Sequence, residues 1–210
     1  MVRAKLFPIL ILVMTGVCAS AMAADDFEEG KDYTKLASPQ PTTSRDKVEV
    51  IEFFSYGCPH CAHFEPVLDE WLTSGKPDNV VFKRIPVAWN QGFEAFARVY
   101  YAAQAQGAPT AADAAMFHLL HEEKPPQLTL QTIADVYARF GVDKDAFMAT
   151  FGSDEVTAKV DEAKSLTRAY RVTGVPALIV DGTYEVPSPA GGDFKRMLAT
   201  ADYLVGKSER

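Results

Sequence analysis

The order of apolar and polar positions divides the chain into an α/β pattern interrupted by a long helical stretch. Val48 to Phe54 is rich in β-branched and aromatic residues and predicts a buried strand. Val80 to Val87 predicts a second, with Val81, Ile85 and Val87 apolar. Between them, a helix is expected from Cys58 to about Ser74-Gly75, with Pro59 at its first position and Pro66 kinking its interior. Residues 90 to about 170 carry helical periodicity almost throughout. Phe93, Phe96, Val99 and Tyr100 share one face; Met116, Leu119 and Leu120 mark a second helix. Ile133, Val136, Tyr137 and Phe140 mark a third, stopped by Gly141. Asp143 caps a short helix holding Phe147, and Val156, Val160, Ala163 and Leu166 trace a longer one. Strand character returns at Ala177 to Val180, turns at Asp181-Gly182, and runs back through Thr183 to Val186. Phe194, Met197, Leu198 and Leu204 suit a closing amphipathic helix.

Ahead of this pattern, Tyr33 to Leu36 suits a short edge strand, and Asp25 to Gly30 reads as an acidic, mobile segment. The strand–helix–strand start implies a parallel pair with a right-handed crossover. The helical block is most simply an insertion in an α/β domain.

The first residues read as a secretory signal. Arg3 and Lys5 give a basic start, Leu6 to Val17 is apolar but short, and Ala21-Met22-Ala23 offers small residues for cleavage near Ala23. A retained anchor needs a longer run. A lipoprotein site at Cys18 is poorly matched by Val17. The full chain has 21 basic and 28 acidic residues, a net charge of −7; loss of Arg3 and Lys5 leaves 19 against 28, or −9. Such an acidic chain is not expected to bind nucleic acid or anionic lipid.

Three cysteines are present, and Cys18 leaves with the signal. The mature chain keeps only Cys58 and Cys61. Closing so small a loop removes little chain entropy, so a structural staple explains the pair weakly and a reversible redox pair explains it better. Cys58 falls where a strand meets a helix N-terminus, whose free N–H groups favour a thiolate. Cys61 lies one turn on, within disulfide reach. Cys58 is therefore expected to exchange with substrate and Cys61 to resolve. His60, in the first turn, is expected to stabilise the Cys58 thiolate and so make the disulfide a stronger oxidant. Cys58, His60, Cys61 and His63 could alternatively be metal ligands, but side chains along one short helical segment fan out. Ala62 stands where haem attachment needs histidine. No metal and no cofactor are expected. His63 reads as a solvated helix residue, and His118 and His121 have no evident partner. Glu52 interrupts an apolar strand: it either relays protons to Cys61 or sits at an edge or surface. Glu65, one turn beyond Cys61, is the other relay candidate, with Lys83 as a possible counter-charge.

Glu52-Phe53-Phe54-Ser55-Tyr56-Gly57-Cys58-Pro59-His60-Cys61, followed by Phe64-Glu65-Pro66, strongly resembles the active-site segment of the DsbA family of bacterial periplasmic dithiol oxidases. Thr173-Gly174-Val175-Pro176-Ala177 resembles that family's second motif. The resemblance implies a thioredoxin fold with an inserted helical domain. Residues 1–23 would be the signal peptide, 24–88 and 172–210 the thioredoxin-like domain, and 89–171 the insertion. It also implies a cis peptide bond at Pro176, substrate binding along Val175 and Pro176, and an acidic pair at Glu52 and Glu65. Exported proteins with free thiols would be the substrates. A DsbB-like, quinone-linked membrane protein would be the reoxidant. No N-terminal dimerisation domain is apparent, so a monomer is expected. The alternative from another class is a peptide-binding or metal-delivering exported protein without redox turnover.

Overall fold

The computed structural model describes residues 27–44 and 46–208. The signal segment, Cys18 and the Ala23 cleavage site lie outside the described residues. Five strands form one sheet in the order β1 (Thr34–Lys35), β5 (Tyr184–Pro187), β4 (Ala177–Val180), β2 (Val48–Phe54), β3 (Val80–Pro86). β2 and β3 are parallel, joined by α1 (Pro59–Glu70) and a wider π-type turn at Trp71–Gly75. The other neighbours are antiparallel.

β2 lies between β3 and β4, and all seven of its residues are buried. Its alternation sets the two faces of the sheet. Val48 and Val50 pack with Phe64 and Leu68 of α1 and with Met197 and Leu204 of α7 (Phe194–Ser208). Ile51 and Phe53 pack with Ala163 of α6 (Asp154–Ala169) and with Tyr170. The β4–β5 hairpin closes through Asp181 and Gly182, both in the left-handed region, with Thr183 N–H bonded to the Val180 carbonyl at 3.0 Å. A β-carbon at Gly182 would overlap the Gln40 carbonyl oxygen, so this turn needs glycine for space as well as for φ.

Between β3 and β4 the chain forms α2 (Gln91–Ala105), α3 (Ala111–His118, continued by a π-type turn at Leu119–Glu123), α4 (Leu130–Ala138), α5 (Lys144–Phe151) and α6. Side chains of Asn90, Thr129, Asp143 and Ser153 cap α2, α4, α5 and α6 by accepting backbone N–H groups at the helix starts. The core of this block runs without a break from Phe147 and Val160 to Phe54, Tyr56 and Cys61, so it packs directly beneath the redox helix.

The described part of the acidic segment, residues 27–30, reaches α7 through its own Phe27 and through the neighbouring Asp32, whose carboxylate accepts the Glu28 N–H at 3.0 Å. Asp32 takes two hydrogen bonds from Arg196 of α7, at 2.6 and 2.9 Å, and the Arg196 guanidinium also covers the Phe27 ring. These bonds hold the Asp32 carboxyl down at about 2.

Candidate active site

α1 differs from the four capped helices. Its N-cap residue is Cys58, extended at φ −96° and ψ 117°, and no side-chain oxygen serves its first turn. Pro59 at the first position has no N–H to satisfy. The N–H groups of His60 and Cys61 make no cap hydrogen bond to a side chain, and both favour negative charge on the Cys58 sulfur. The Cys58 thiol is held down at about 6. The Cys61 thiol hydrogen bond is the largest influence, and the two backbone N–H groups and the His60 charge add to it against the effect of burial. Cys61 is fully buried, and burial pushes its thiol far up, with Cys58 and Glu52 acting in the same direction. His60 is exposed, and its contribution to Cys58 is smaller than that of Cys61.

The Val175–Pro176 peptide bond is cis. The Val175 carbonyl oxygen lies 3.4 Å from Cys58 Sγ, within reach of the thiol as donor. Two motifs 117 residues apart in the chain thus meet at one sulfur. Gly57 completes the approach: a β-carbon there would stand 2.8 Å from the Phe96 ring of α2, so the loop before Cys58 lies flat against the helical block.

Glu52 lies under this site. It is fully buried in the interior strand, which removes the edge or surface reading. Its partner is Arg84, not Lys83. In the parallel register Glu52 pairs with Arg84 and Ile51 with Lys83, so the two cations point to opposite faces. Lys83 bonds Glu49 and Thr43 on the far face. There burial would raise the Glu49 carboxyl, but Lys83 and Thr43 together hold it below its ordinary value. Arg84 Nε stands 2.6 Å from Glu52 Oε2 without a well-aligned hydrogen bond, so the contact is ionic. Its Nη atoms grip Glu65 at 2.6 and 3.2 Å and reach Asp113 Oδ2 of α3 at 3.1 Å. The guanidinium also lies 4.3 Å from the centre of the Phe54 ring. Asp113 Oδ1 in turn accepts the Tyr56 hydroxyl, which accepts the Tyr137 hydroxyl at 3.2 Å. One buried cation therefore faces three carboxyls. Burial and repulsion from Glu65 and Asp113 push Glu52 up to about 7 against the pull of Arg84. Glu65 and Asp113 are also raised, burial being the main cause in each.

The sequence reading missed Arg84, Asp113, Tyr56 and Tyr137. Asp113 carried a signal: it shares a helical face with Met116 and Phe117 in an otherwise apolar helix. His121 also has a partner that was not foreseen, the Tyr56 carbonyl oxygen at 2.7 Å from its Nε2. His118 pairs with Glu123 at the surface, and His63 is exposed. Among the described residues, no group of three or more His, Cys, Asp and Glu side chains converges to hold a metal ion.

Residues 79–201 match the DSBA-like thioredoxin domain family. The chain is 35% identical over 197 residues to the thiol:disulfide interchange protein DsbA of Pseudomonas aeruginosa, covering 94% of this chain and 93% of the relative. The chain belongs to the DsbA family. The DsbA of Burkholderia cepacia is 36% identical over 205 residues, covering 96% of this chain and 95% of the relative. The crystal structure of Pseudomonas aeruginosa DsbA superposes with a TM-score of 0.79 at 36% identity, over 88% of this chain and 95% of that one. The fold is accordingly the thioredoxin-like fold of DsbA proteins, and the chain is a thiol:disulfide oxidoreductase.

Proposed function

We propose that this DsbA-family protein is a dithiol oxidase that introduces disulfide bonds into exported proteins through Cys58-Pro59-His60-Cys61. The observation that carries this reading is the opposite displacement of the two thiols, Cys58 held down at about 6 and Cys61 pushed far up. A stabilised Cys58 thiolate stabilises the reduced protein and so makes its disulfide a stronger oxidant. In the oxidised protein a substrate thiolate attacks Cys58 Sγ, and Cys61 departs with the electron pair. Cys61 is a poor leaving group unless it is protonated. Glu52, with a carboxyl near 7 and a direct influence on Cys61, is the proton carrier, and Arg84 and Glu65 position it. The second substrate thiolate then attacks the substrate sulfur of the mixed disulfide and Cys58 leaves as a thiolate. The substrate has lost two electrons and the Cys58–Cys61 pair has gained them.

His60 supports the Cys58 thiolate. Val175, half-buried, and Pro176, buried, follow the exposed Thr173 and Gly174, and an extended substrate segment lies along this stretch of backbone. Residues 24–88 and 172–210 act as the thioredoxin-like domain and 89–171 as an insertion covering the site. The protein works as a monomer in the periplasm after cleavage near Ala23. A DsbB-like, quinone-linked membrane protein restores its disulfide. Titration of Cys58 and Cys61 in glutathione buffers, read by thiol trapping, tests the reading. An oxidising potential is expected. A potential as reducing as thioredoxin's overturns it.

A further inference from the structure

A cavity of about 340 Å³ opens where the loop after β3 meets the end of α6 and the start of the cis-proline loop. Trp89, Lys164, Arg168, Arg171 and Thr173 line it, and no carboxylate does. That is unexpected in a chain with a net charge of −7. Lys164 is paired with Glu94 and Asp161 at 3.0 and 3.4 Å. Arg168 makes only a hydrogen bond to Ser165 Oγ at 3.2 Å, and Arg171 has no ion-pair partner among the described residues. Both arginines are exposed. Cations after a helix C-terminus are favoured by its dipole, which accounts for some positive charge at this end of α6. The dipole does not account for the aromatic wall. Trp89 is 44% exposed, among the few large apolar side chains left in solvent, and leans on Phe93 at 5.7 Å. Nor does it account for Arg171 at φ 55°, in the left-handed position after a helix where glycine is usual.

The location gives the cavity a use. Thr173 stands two residues before Val175, whose carbonyl oxygen touches Cys58 Sγ. Two residues of extended chain span roughly 7 Å. A polypeptide paired along residues 173–175, where Thr173 and Gly174 are exposed and Val175 is half-buried, with its cysteine over Cys58, therefore brings a side chain about two residues away to the cavity mouth. We propose that this cavity is a substrate subsite that takes a carboxylate side chain, Asp or Glu, flanking the reacting cysteine. Arg168 and Arg171 bind the carboxylate and Trp89 covers the stem. The subsite rests on the oxidase reading, because it presumes a substrate strand along Val175.

The test uses the oxidised full-length mature protein and three synthetic dithiol peptides. These differ only in carrying Glu, Gln or Lys two residues from the attacking cysteine, with each flank tried in turn. The rate with each is divided by the rate of the same peptide with glutathione disulfide, which removes the effect of Glu or Lys on the peptide thiol itself, and then by the value for the Gln peptide, which removes the effect of a variant on the protein's own redox reactivity. Glu is expected to be favoured over Lys by roughly two- to fivefold, the range that exposed ion pairs supply, and less at high salt. The double variant Arg168→Glu with Arg171→Glu is expected to reverse the order. Both changes are at exposed positions, and R168Q with R171Q, expected to abolish the preference, serves if the reversal impairs folding. Equal rates for all three peptides, or a preference untouched by either double variant, overturn the subsite alone. Oxidation of none of the peptides overturns the oxidase reading and the subsite together.

Discussion

Glu52 and Arg84 are register partners across the parallel strands β2 and β3, with Arg84 Nε 2.6 Å from Glu52 Oε2 and both side chains buried. A buried pair of this kind seldom gains stability over an apolar pair of the same shape, because the desolvation of two charges consumes the attraction. Its value here is placement. The same guanidinium holds Glu65 from α1 and Asp113 from α3, so one side chain joins the sheet, the redox helix and the helical block directly beneath the two thiols.

Removal of Arg84 should therefore be severe. Arg84→Met leaves three carboxyls buried without a counter-charge and is expected to cost about 3–5 kcal/mol. Urea unfolding at neutral pH measures the loss, and part of it should return at acid pH, where the carboxyls are neutral. Arg84→Lys should fall in between, since an ammonium cannot fork to Glu65 while also reaching Glu52 and Asp113. A loss below about 1 kcal/mol for Arg84→Met would mean that the cluster is not charged in the folded protein.

The Glu52 carboxyl gives a second expectation with a definite sign. Its folded value is raised to about 7, above the ordinary carboxylate range that applies in the unfolded chain. Between those values the folded state binds more protons than the unfolded state, so stability from this group is full at acid pH and is lost as pH rises toward 7. Glu52→Gln removes that slope. The difference in unfolding free energy between the variant and the parent should grow in the variant's favour from about pH 4.5 to 7 and then level off. A difference that does not vary with pH would place the Glu52 carboxyl at its ordinary value. The same variant should slow release of Cys61 from the mixed-disulfide step, read by single-turnover peptide oxidation.

Much of this arrangement is legible in the sequence, for reasons that particular residues make plain. β2, β3 and β4 follow from runs of β-branched residues, and the hairpin from Asp181-Gly182, because those signals are local. The acid in β2 is also visible. Its cation is not, because Lys83 and Arg84 are adjacent and only the strand register decides which faces Glu52. Register is a long-range property, set here by Val48 pairing with Val80. Asp113 and Tyr56 are harder still. Their bond depends on how α3 packs over the loop before Cys58, and nothing within either segment encodes it. The same holds for His121, whose bond to the Tyr56 carbonyl spans 65 residues.

Tyr56 is accordingly a third test. Tyr56→Phe keeps the ring, which packs edge-on against Phe54 and Phe117, and deletes only the hydroxyl. Asp113 loses a donor and Tyr137 loses its acceptor, both in a buried setting. The expected cost is about 1–3 kcal/mol. Tyr137→Phe should cost less, since Tyr56 keeps its bond to Asp113. Equal losses in the two variants would show that the Tyr56–Tyr137 bond, rather than the Asp113 bond, holds the loop.

The last expectation concerns the thiols themselves. Alkylation of the reduced protein by iodoacetamide should follow a single titration of Cys58 with a midpoint near pH 6, and Cys61 should stay unmodified well above it. Two variants separate the causes. Cys61→Ala removes the largest stabilising contact on the Cys58 sulfur and should raise the midpoint most. His60→Ser removes a smaller charge effect and leaves the backbone N–H in place, so it should raise the midpoint less. Because a less stabilised Cys58 thiolate means a less stabilised reduced form, His60→Ser should also make the disulfide less oxidising. A midpoint unchanged in Cys61→Ala would leave the N-terminus of α1 as the source of the thiolate. A midpoint and potential both unchanged in His60→Ser would remove His60 from the mechanism.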